Sequence, residues 1–320
     1  MIERFSIKKG GPEKQPTREF RRRREALAET PVLHENRPET ENPQKEAVEQ
    51  IDNPLPQQSE EKERPQTPEK IVASIVVSAY NEEAEIGRLL DSLEKAWFSG
   101  MEVVISDDGS TDNTATIVQE YIKRGSPGKP EDWLILYSHE NFGFSGGRNA
   151  GATRARGEYM FFLDADAPVP SGLIEHDIRQ MQERELDIAN HYLTPEQKPR
   201  SPMGVFKDSV TLGLVNNVMR GSLGFAGCGG IIVRREFFDK IGGYNDVETG
   251  DDLDIFWRSI KTPGARVGMI HGVKMPTNMR RFEENGYVRT LLLWTRVWLY
   301  YLLYKKVPDG ITVSYEPVRK

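Results

Sequence analysis

The sequence predicts an α/β protein built on a nucleotide-binding, mostly parallel sheet flanked by helices, with a helical extension after it. Three observations predict this. Short β-branched apolar runs alternate with amphipathic stretches from about residue 71 to 275. Acidic and glycine-rich clusters follow those runs directly, at the ends of parallel strands where ligands bind. The residues before Lys70 have a different composition altogether.

Residues 1–70 are rich in Pro, Glu, Arg and Gln, with few aromatics and no periodic apolar run, so the stretch is expected to be disordered. Its charge is split. Lys8, Lys9, Lys14, Arg18 and Arg21 to Arg24 form a basic head, and Glu25 to Glu69 is mainly acidic. A solvated tail is the plainer reading, and an arm against an anionic surface the other. The charged amino terminus has no apolar stretch of signal-peptide type. Cys228 is the single cysteine, and no Cys/His cluster has zinc spacing, so a reducing, cytoplasmic setting is expected. A net charge of −6 gives no overall attraction to nucleic acid.

Taken in order, Ile71 to Ser78 is a nearly continuous apolar run, as suits a strand covered on both faces. Asn81 is expected to cap a helix with Glu82, Glu83 and Glu85 in its first turn and Ile86, Leu89, Leu90 and Leu93 on one face. A second strand, Glu102 to Ser106, runs into Asp107-Asp108-Gly109-Ser110-Thr111-Asp112. Thr111 or Asp112 caps the next helix, with Ile117, Val118, Tyr121 and Ile122 as its buried stripe. Trp133 to Tyr137 is a third strand, Gly146 to Arg156 a helix opened by glycine, and Glu158 to Leu163 the strand that delivers Asp164-Ala165-Asp166.

Three strand ends then meet at one crevice. Tyr80 offers an aromatic face on which a base could stack. Asp108 could accept a hydrogen bond from a base, and Gly109 lets backbone approach closely. Two carboxylates on one turn, Asp164 and Asp166, suit a divalent cation held against a diphosphate.

The succession Ser78-Ala79-Tyr80-Asn81-Glu82-Glu83, Asp107 to Asp112, Asn141-Phe142-Gly143 with Gly147-Arg148-Asn149-Ala150-Gly151, and Gly157-Glu158-Tyr159 leading to Asp164-Ala165-Asp166 resembles family 2 glycosyltransferases of the GT-A fold. The likeness runs from about Val72 to Arg258. It implies a nucleoside-diphosphate sugar as donor, a divalent ion such as Mn2+ or Mg2+, and inversion at the anomeric carbon. By position, Tyr80, Glu82 and Asp108 fall in the nucleotide-binding segments, Asp164 near the donor ribose and diphosphate, and Asp166 at the metal ligand. Arg148 either neutralises phosphate or buttresses the sheet.

Inversion also needs a base to take the acceptor proton. Gly250-Asp251-Asp252-Leu253-Asp254 resembles the family segment in which an acidic pair opens a helix, and the resemblance places the base on Asp252. Asp251 stands where the family commonly has Glu, and Asp254 is read as structural. His271 is a candidate third metal ligand, against the plainer reading of a strand-end histidine with a structural hydrogen bond. Phe225 to Gly230 resembles the part of the donor-sugar and acceptor pocket in which glycines admit close backbone contact, and Cys228 reads as a small packed residue.

Residues 276–320 are expected to form a helical extension in which acceptor choice resides. Arg289 to Lys306 is too short and too charged to span a bilayer. It either packs on the catalytic domain or lies in the membrane interface, with Trp and Tyr at the headgroups. The second reading is favoured and suits a lipid-linked acceptor, with a soluble sugar acceptor left open. Two other classes stand beside this one. A sugar nucleotidyltransferase would need a basic glycine-rich loop after the first strand, where this chain is acidic. A catalytically silent sugar-nucleotide-binding or scaffold protein would carry the same residues in other positions.

Overall fold

The computed structural model describes residues 70–196, 201–221, 230–247 and 250–304. The tail before Lys70, Phe225 to Gly229 with Cys228, and Lys305 and Lys306 lie outside the described residues. Among those described, seven strands form one sheet: β1 (Ala73–Ala79), β2 (Met101–Asp107), β3 (Leu134–Ser138), β4 (Tyr159–Asp164), β5 (Ile188–Pro195), β6 (Ile231–Arg234) and β7 (Val267–Thr277). Their order is β3-β2-β1-β4-β6-β5-β7. The sheet is parallel except for β6, which runs antiparallel to both of its neighbours.

Chain order reverses beside β1, with β2 and β3 on one side and β4 on the other. Open α/β sheets bind ligands beyond the carboxyl ends of the strands at such a switch point. Here the helices after β1, β2 and β4 pack on one face, while the helix that joins β3 to β4 packs on the other. Register then sets the strand ends level, because Ala79 pairs with Asp107, Ser78 with Asp164, and Asp107 with Ser138. All but one residue of β1 and every residue of β2 are buried, as suits central parallel strands covered on both faces, although β2 buries Glu102, Ser106 and Asp107 among its apolar residues.

The helices are α1 (Ile86–Ala96), α2 (Thr114–Arg124), α3 (Gly143–Arg154), α4 (Leu173–Glu183), α5 (Pro202–Gly221), α6 (Arg235–Lys240), α7 (Asp251–Lys261), α8 (Arg280–Asn285) and α9 (Tyr287–Tyr304). In α1 the stripe of Ile86, Leu89, Leu90 and Leu93 is buried as expected. Asn81 does not cap it. The helix begins five residues later, and Asn81 adopts φ +56° while its Oδ1 accepts from the Thr111 N–H at 2.8 Å. Asparagine tolerates the left-handed region, so the residue ties two strand-end loops together instead of starting a helix. Asp112 does serve the start of α2, accepting from the Thr114 N–H at 2.9 Å, but Ile122 stands 37% exposed outside the stripe.

The third helix is held by small residues and not by an apolar stripe. A Cβ on Gly147 would collide with Ser78 Oγ, and one on Gly151 would sit 2.6 Å from Val76 Cγ1. Close approach to β1 therefore buries this helix, including its polar residues Arg148 and Asn149. Gly157 meets a harder limit, since a Cβ there would lie 2.6 Å from the backbone of Ala73 and Ser74. Backbone cannot rotate away as a side chain can. Gly157→Ala is expected to lower stability by about 3 kcal/mol, measured by urea unfolding, and a cost near zero would mean that β1 and β4 are not held so closely.

Met279 and Phe282 join one core cluster, with Tyr287, Leu291 and Trp294 packed against it. Tyr301 belongs to the cluster on the other side, with Phe162, Phe238, Tyr244 and Phe256. The carboxyl-terminal helices thus pack along the same body that carries the crevice.

Candidate active site

Tyr80 leaves β1 with its side chain 41% exposed, so a face of the ring is open to solvent. The Glu82 N–H donates to Thr114 Oγ1 at 2.8 Å, which fixes this loop against the start of α2. Asp108 leaves β2 buried. Its N–H donates to the Ala79 carbonyl at 2.8 Å, and its Oδ1 accepts from the Phe142 N–H at 2.7 Å. Burial pushes the Asp108 carboxyl above the usual range, opposed by the Phe142 N–H. His139 stands 3.4 Å from the same carboxylate and stacks on Phe142. Sequence reasoning missed His139, although its place directly after β3 is the same signal that found Asp108 after β2.

Arg148 is the centre of the arrangement. One arm, Nη2, donates to Asp164 Oδ1 at 2.9 Å, and the other, Nη1, donates to Asp252 Oδ1 at 3.1 Å and also to Asp251 Oδ2. Its side chain is 9% exposed and lies over the Tyr244 ring at 5.3 Å. Burial alone would lower its pKa, but Asp251 and Asp252 hold it far above its usual value. Asn149, next in sequence, accepts from the Tyr244 N–H at 3.0 Å and donates to the Tyr244 carbonyl at 2.8 Å. Two adjacent residues of α3 therefore pin a segment about a hundred positions downstream, one through backbone and one through charge.

That segment leads into α7, which opens at Gly250 with φ +81° and carries Asp251, Asp252 and Asp254 in its first turn, where the helix dipole favours them. Asp254 turns away and accepts from Arg258 Nε at 2.7 Å and Tyr301 Oη at 3.2 Å, a structural role. Asp252 faces Arg148. Burial pushes its carboxyl up to about 7, against the opposing pull of Arg148, with Asp251 and Asp164 adding their repulsion. A carboxylate near 7 is matched to accepting a proton at neutral pH.

Asp164 ends β4 with its side chain 50% exposed, and Asp166 follows on the same turn with its carbonyl accepting from Arg88 Nη2 at 3.2 Å. Among the described residues, no group of three His, Cys, Asp or Glu side chains is placed to hold a metal ion by itself. A pair of neighbouring carboxylates fits Mg2+ or Mn2+, which take one or two protein oxygens and leave positions for substrate phosphates. His271 is exposed on β7 with its ring 5.8 Å from that of Tyr192, and it is not part of a three-ligand group with the acids.

The mostly parallel seven-strand sheet flanked by helices is that of the GT-A glycosyltransferases. The profile described as Glycosyl transferase family 2 matches residues 74–242, and the chain belongs to that family. Over 243 residues it is 28% identical to the beta-monoglucosyldiacylglycerol synthase of Nostoc sp., covering 69% of this chain and 50% of that one. Over 118 residues it is 34% identical to the uncharacterized glycosyltransferase EpsJ of Bacillus subtilis, covering 37% and 32%. The chain thus spans a third to a half of the length of these relatives. The mannosyltransferase PcManGT of Pyrobaculum calidifontis, solved with GDP-Man and Mn2+, superposes with a TM-score of 0.54 at 20% identity, covering 76% of this chain and 68% of that one. S. aureus TarS 1–349 with UDP-GlcNAc gives 0.50 at 22% identity, covering 65% and 58%.

Proposed function

We propose that this family 2 glycosyltransferase transfers a sugar, with inversion, from a nucleoside-diphosphate sugar to a hydroxyl or phosphate acceptor, in the synthesis of a polysaccharide, glycolipid or glycoconjugate. One observation carries the reading: a single guanidinium, Arg148, binds the donor-side Asp164 at 2.9 Å and the base Asp252 at 3.1 Å. In-line displacement needs a base across the anomeric carbon from the diphosphate, and a shared rigid fork fixes the two carboxylates relative to each other.

Tyr80 stacks on the base of the donor, and Asp108, with Glu82 nearby, orients it. Asp164 faces the ribose and diphosphate. Asp166 would hold a divalent ion, Mn2+ or Mg2+, that when bound offsets charge gathering on the departing diphosphate. Asp252 takes the acceptor proton, and Arg148 positions both carboxylates. Residues 71–275 form the catalytic domain, and 276–320 an extension that selects the acceptor and touches a membrane surface through 289–306. No helix among the described residues is long and apolar enough to cross a membrane.

The deciding experiment screens nucleotide sugars with manganese or magnesium by thermal shift, then follows acceptor-dependent release of nucleoside diphosphate and the anomer formed. A donor that stabilises the fold and yields the inverted product is the expected result, and retention of configuration would remove Asp252 from its role. Tyr80→Ala is expected to weaken nucleotide binding by about 1–3 kcal/mol, the usual worth of a base stacked on an aromatic ring. Calorimetric titration reads this directly, and an unchanged affinity would place the base elsewhere.

A further inference from the structure

Two helices leave apolar stripes exposed among the described residues. On α5, Met203, Phe206, Val210, Leu214 and Val218 recur at intervals of three and four residues and are 40–64% exposed, while Asp208, Leu212, Val215 and Met219 face inward. On α9, Val288, Leu292, Leu299 and Leu303 form a second stripe, 48–74% exposed, while Thr290, Val297 and Tyr301 face inward. The helices meet at their amino-terminal ends, where Tyr287 Oη donates to Asp208 Oδ1 at 2.5 Å and Lys207 Nζ lies 5.9 Å from the Tyr287 ring. Rows of large apolar side chains left exposed on two adjoining helices mark a contact with something else.

Charge says what that something is. The cations of the two helices, Lys207, Arg220, Arg289 and Arg296, are all exposed, and Arg289 and Arg296 border the α9 stripe at helical spacing. Their single carboxylate is Asp208, which is buried and bonded to Tyr287. The nearest acids in sequence, Glu283 and Glu284, lie on α8. In a chain of net charge −6, the exposed charges of these two helices are therefore all positive. A second copy would set these cations against each other with no acid on either helix to meet them, whereas lipid phosphates do meet them.

We propose that α5 and α9 together form one docking surface that lies in the interface of an anionic lipid bilayer, with the stripes among the acyl chains and Lys207, Arg220, Arg289 and Arg296 at the headgroups. This rests on the membrane contact proposed for 289–306 and adds a second, independent element to it. Two helices joined at one end fix the orientation of the sheet above the bilayer, which a single helix free to roll would not.

The test is co-sedimentation of the full chain with vesicles of phosphatidylglycerol and of phosphatidylcholine, with the mass in solution read by light scattering. Preferential binding to phosphatidylglycerol is expected. Phe206→Ser with Leu214→Ser on α5, and Leu292→Ser with Leu299→Ser on α9, are each expected to weaken it about tenfold or more, with melting temperature and donor hydrolysis unchanged because these side chains already face water. If the α5 pair binds like the parent while the α9 pair does not, the two-helix surface is overturned and the contact of 289–306 alone stands. Parent-like binding by both pairs, or binding blind to lipid charge, overturns both. A parent that ignores vesicles and forms a dimer that the α5 pair dissolves assigns the surface to a second copy and also overturns the proposal.

Discussion

Asp252→Asn is expected to remove transfer while raising stability above neutral pH. As a base, Asp252 contributes roughly 10²–10⁴ in rate, and an amide of the same shape cannot accept the proton. Donor affinity should persist, because Asp164 and Asp108 are untouched. The stability change has a definite sign. A carboxyl raised from 3.8 to about 7 on folding holds its proton in the native state over a range where the unfolded chain has lost it. Native stability therefore falls as pH rises from about 4 to about 7 and is level beyond. The amide carries no such penalty, so its advantage is absent below about pH 4 and greatest above 7. Its ceiling is about 4 kcal/mol, lowered because the side chain keeps some contact with water and because Arg148 loses one of its acceptors. The same protonation makes the parent's transfer rate rise with pH through about 7. Melting curves and rates across pH 5–9 check both effects. A variant that transfers normally, or one less stable than the parent at pH 8, removes Asp252 from the role of buried base.

Arg148→Met should have the largest effect on the fold. Removing the guanidinium leaves Asp164, Asp251 and Asp252 without their shared cation, two of them 14–15% exposed. Breaking a buried ionic cluster from one side costs about 3–5 kcal/mol, and urea unfolding at pH 8 should show that loss. Acid should partly restore the variant, because protonating the carboxylates removes their repulsion. Arg148→Lys should recover much of the stability but little of the transfer, since a single ammonium cannot serve both sides of the site as the planar fork does. A loss below about 1 kcal/mol for Arg148→Met would mean that water, and not the guanidinium, screens these acids.

How much of this was legible beforehand depended on the distance over which each feature is decided. The stripe of α1, the nearly continuous apolar run of β1, the strand position of β2, and the carboxylates at the ends of β2 and β4 are short-range patterns, and they are legible from residue type and spacing. Where the reading slipped, a partner far along the chain had intervened. Asn81 has the residue type of a helix cap, but Thr111 claims its side chain. The third helix begins at Gly143 instead of Gly146, and its burial follows from contact with β1 more than from any pattern within the helix. The antiparallel insertion of β6 could not be read from three apolar residues and an arginine, because a run that short has no pattern that fixes its direction.

Arg148 marks the boundary most plainly. Sequence left it between a phosphate ligand and a buttress, and neither reading named the carboxylates of α7 as its partners. No local rule relates position 148 to positions 251 and 252. Local chemistry decided which residues are acidic, which are aromatic, and where each strand stops, since those depend on neighbours within a few positions. Only tertiary packing decided that one cation would bind carboxylates from two distant helical and strand ends, because a charge buried among acids acquires its partners, and its effect on Asp252, when the chain closes around it.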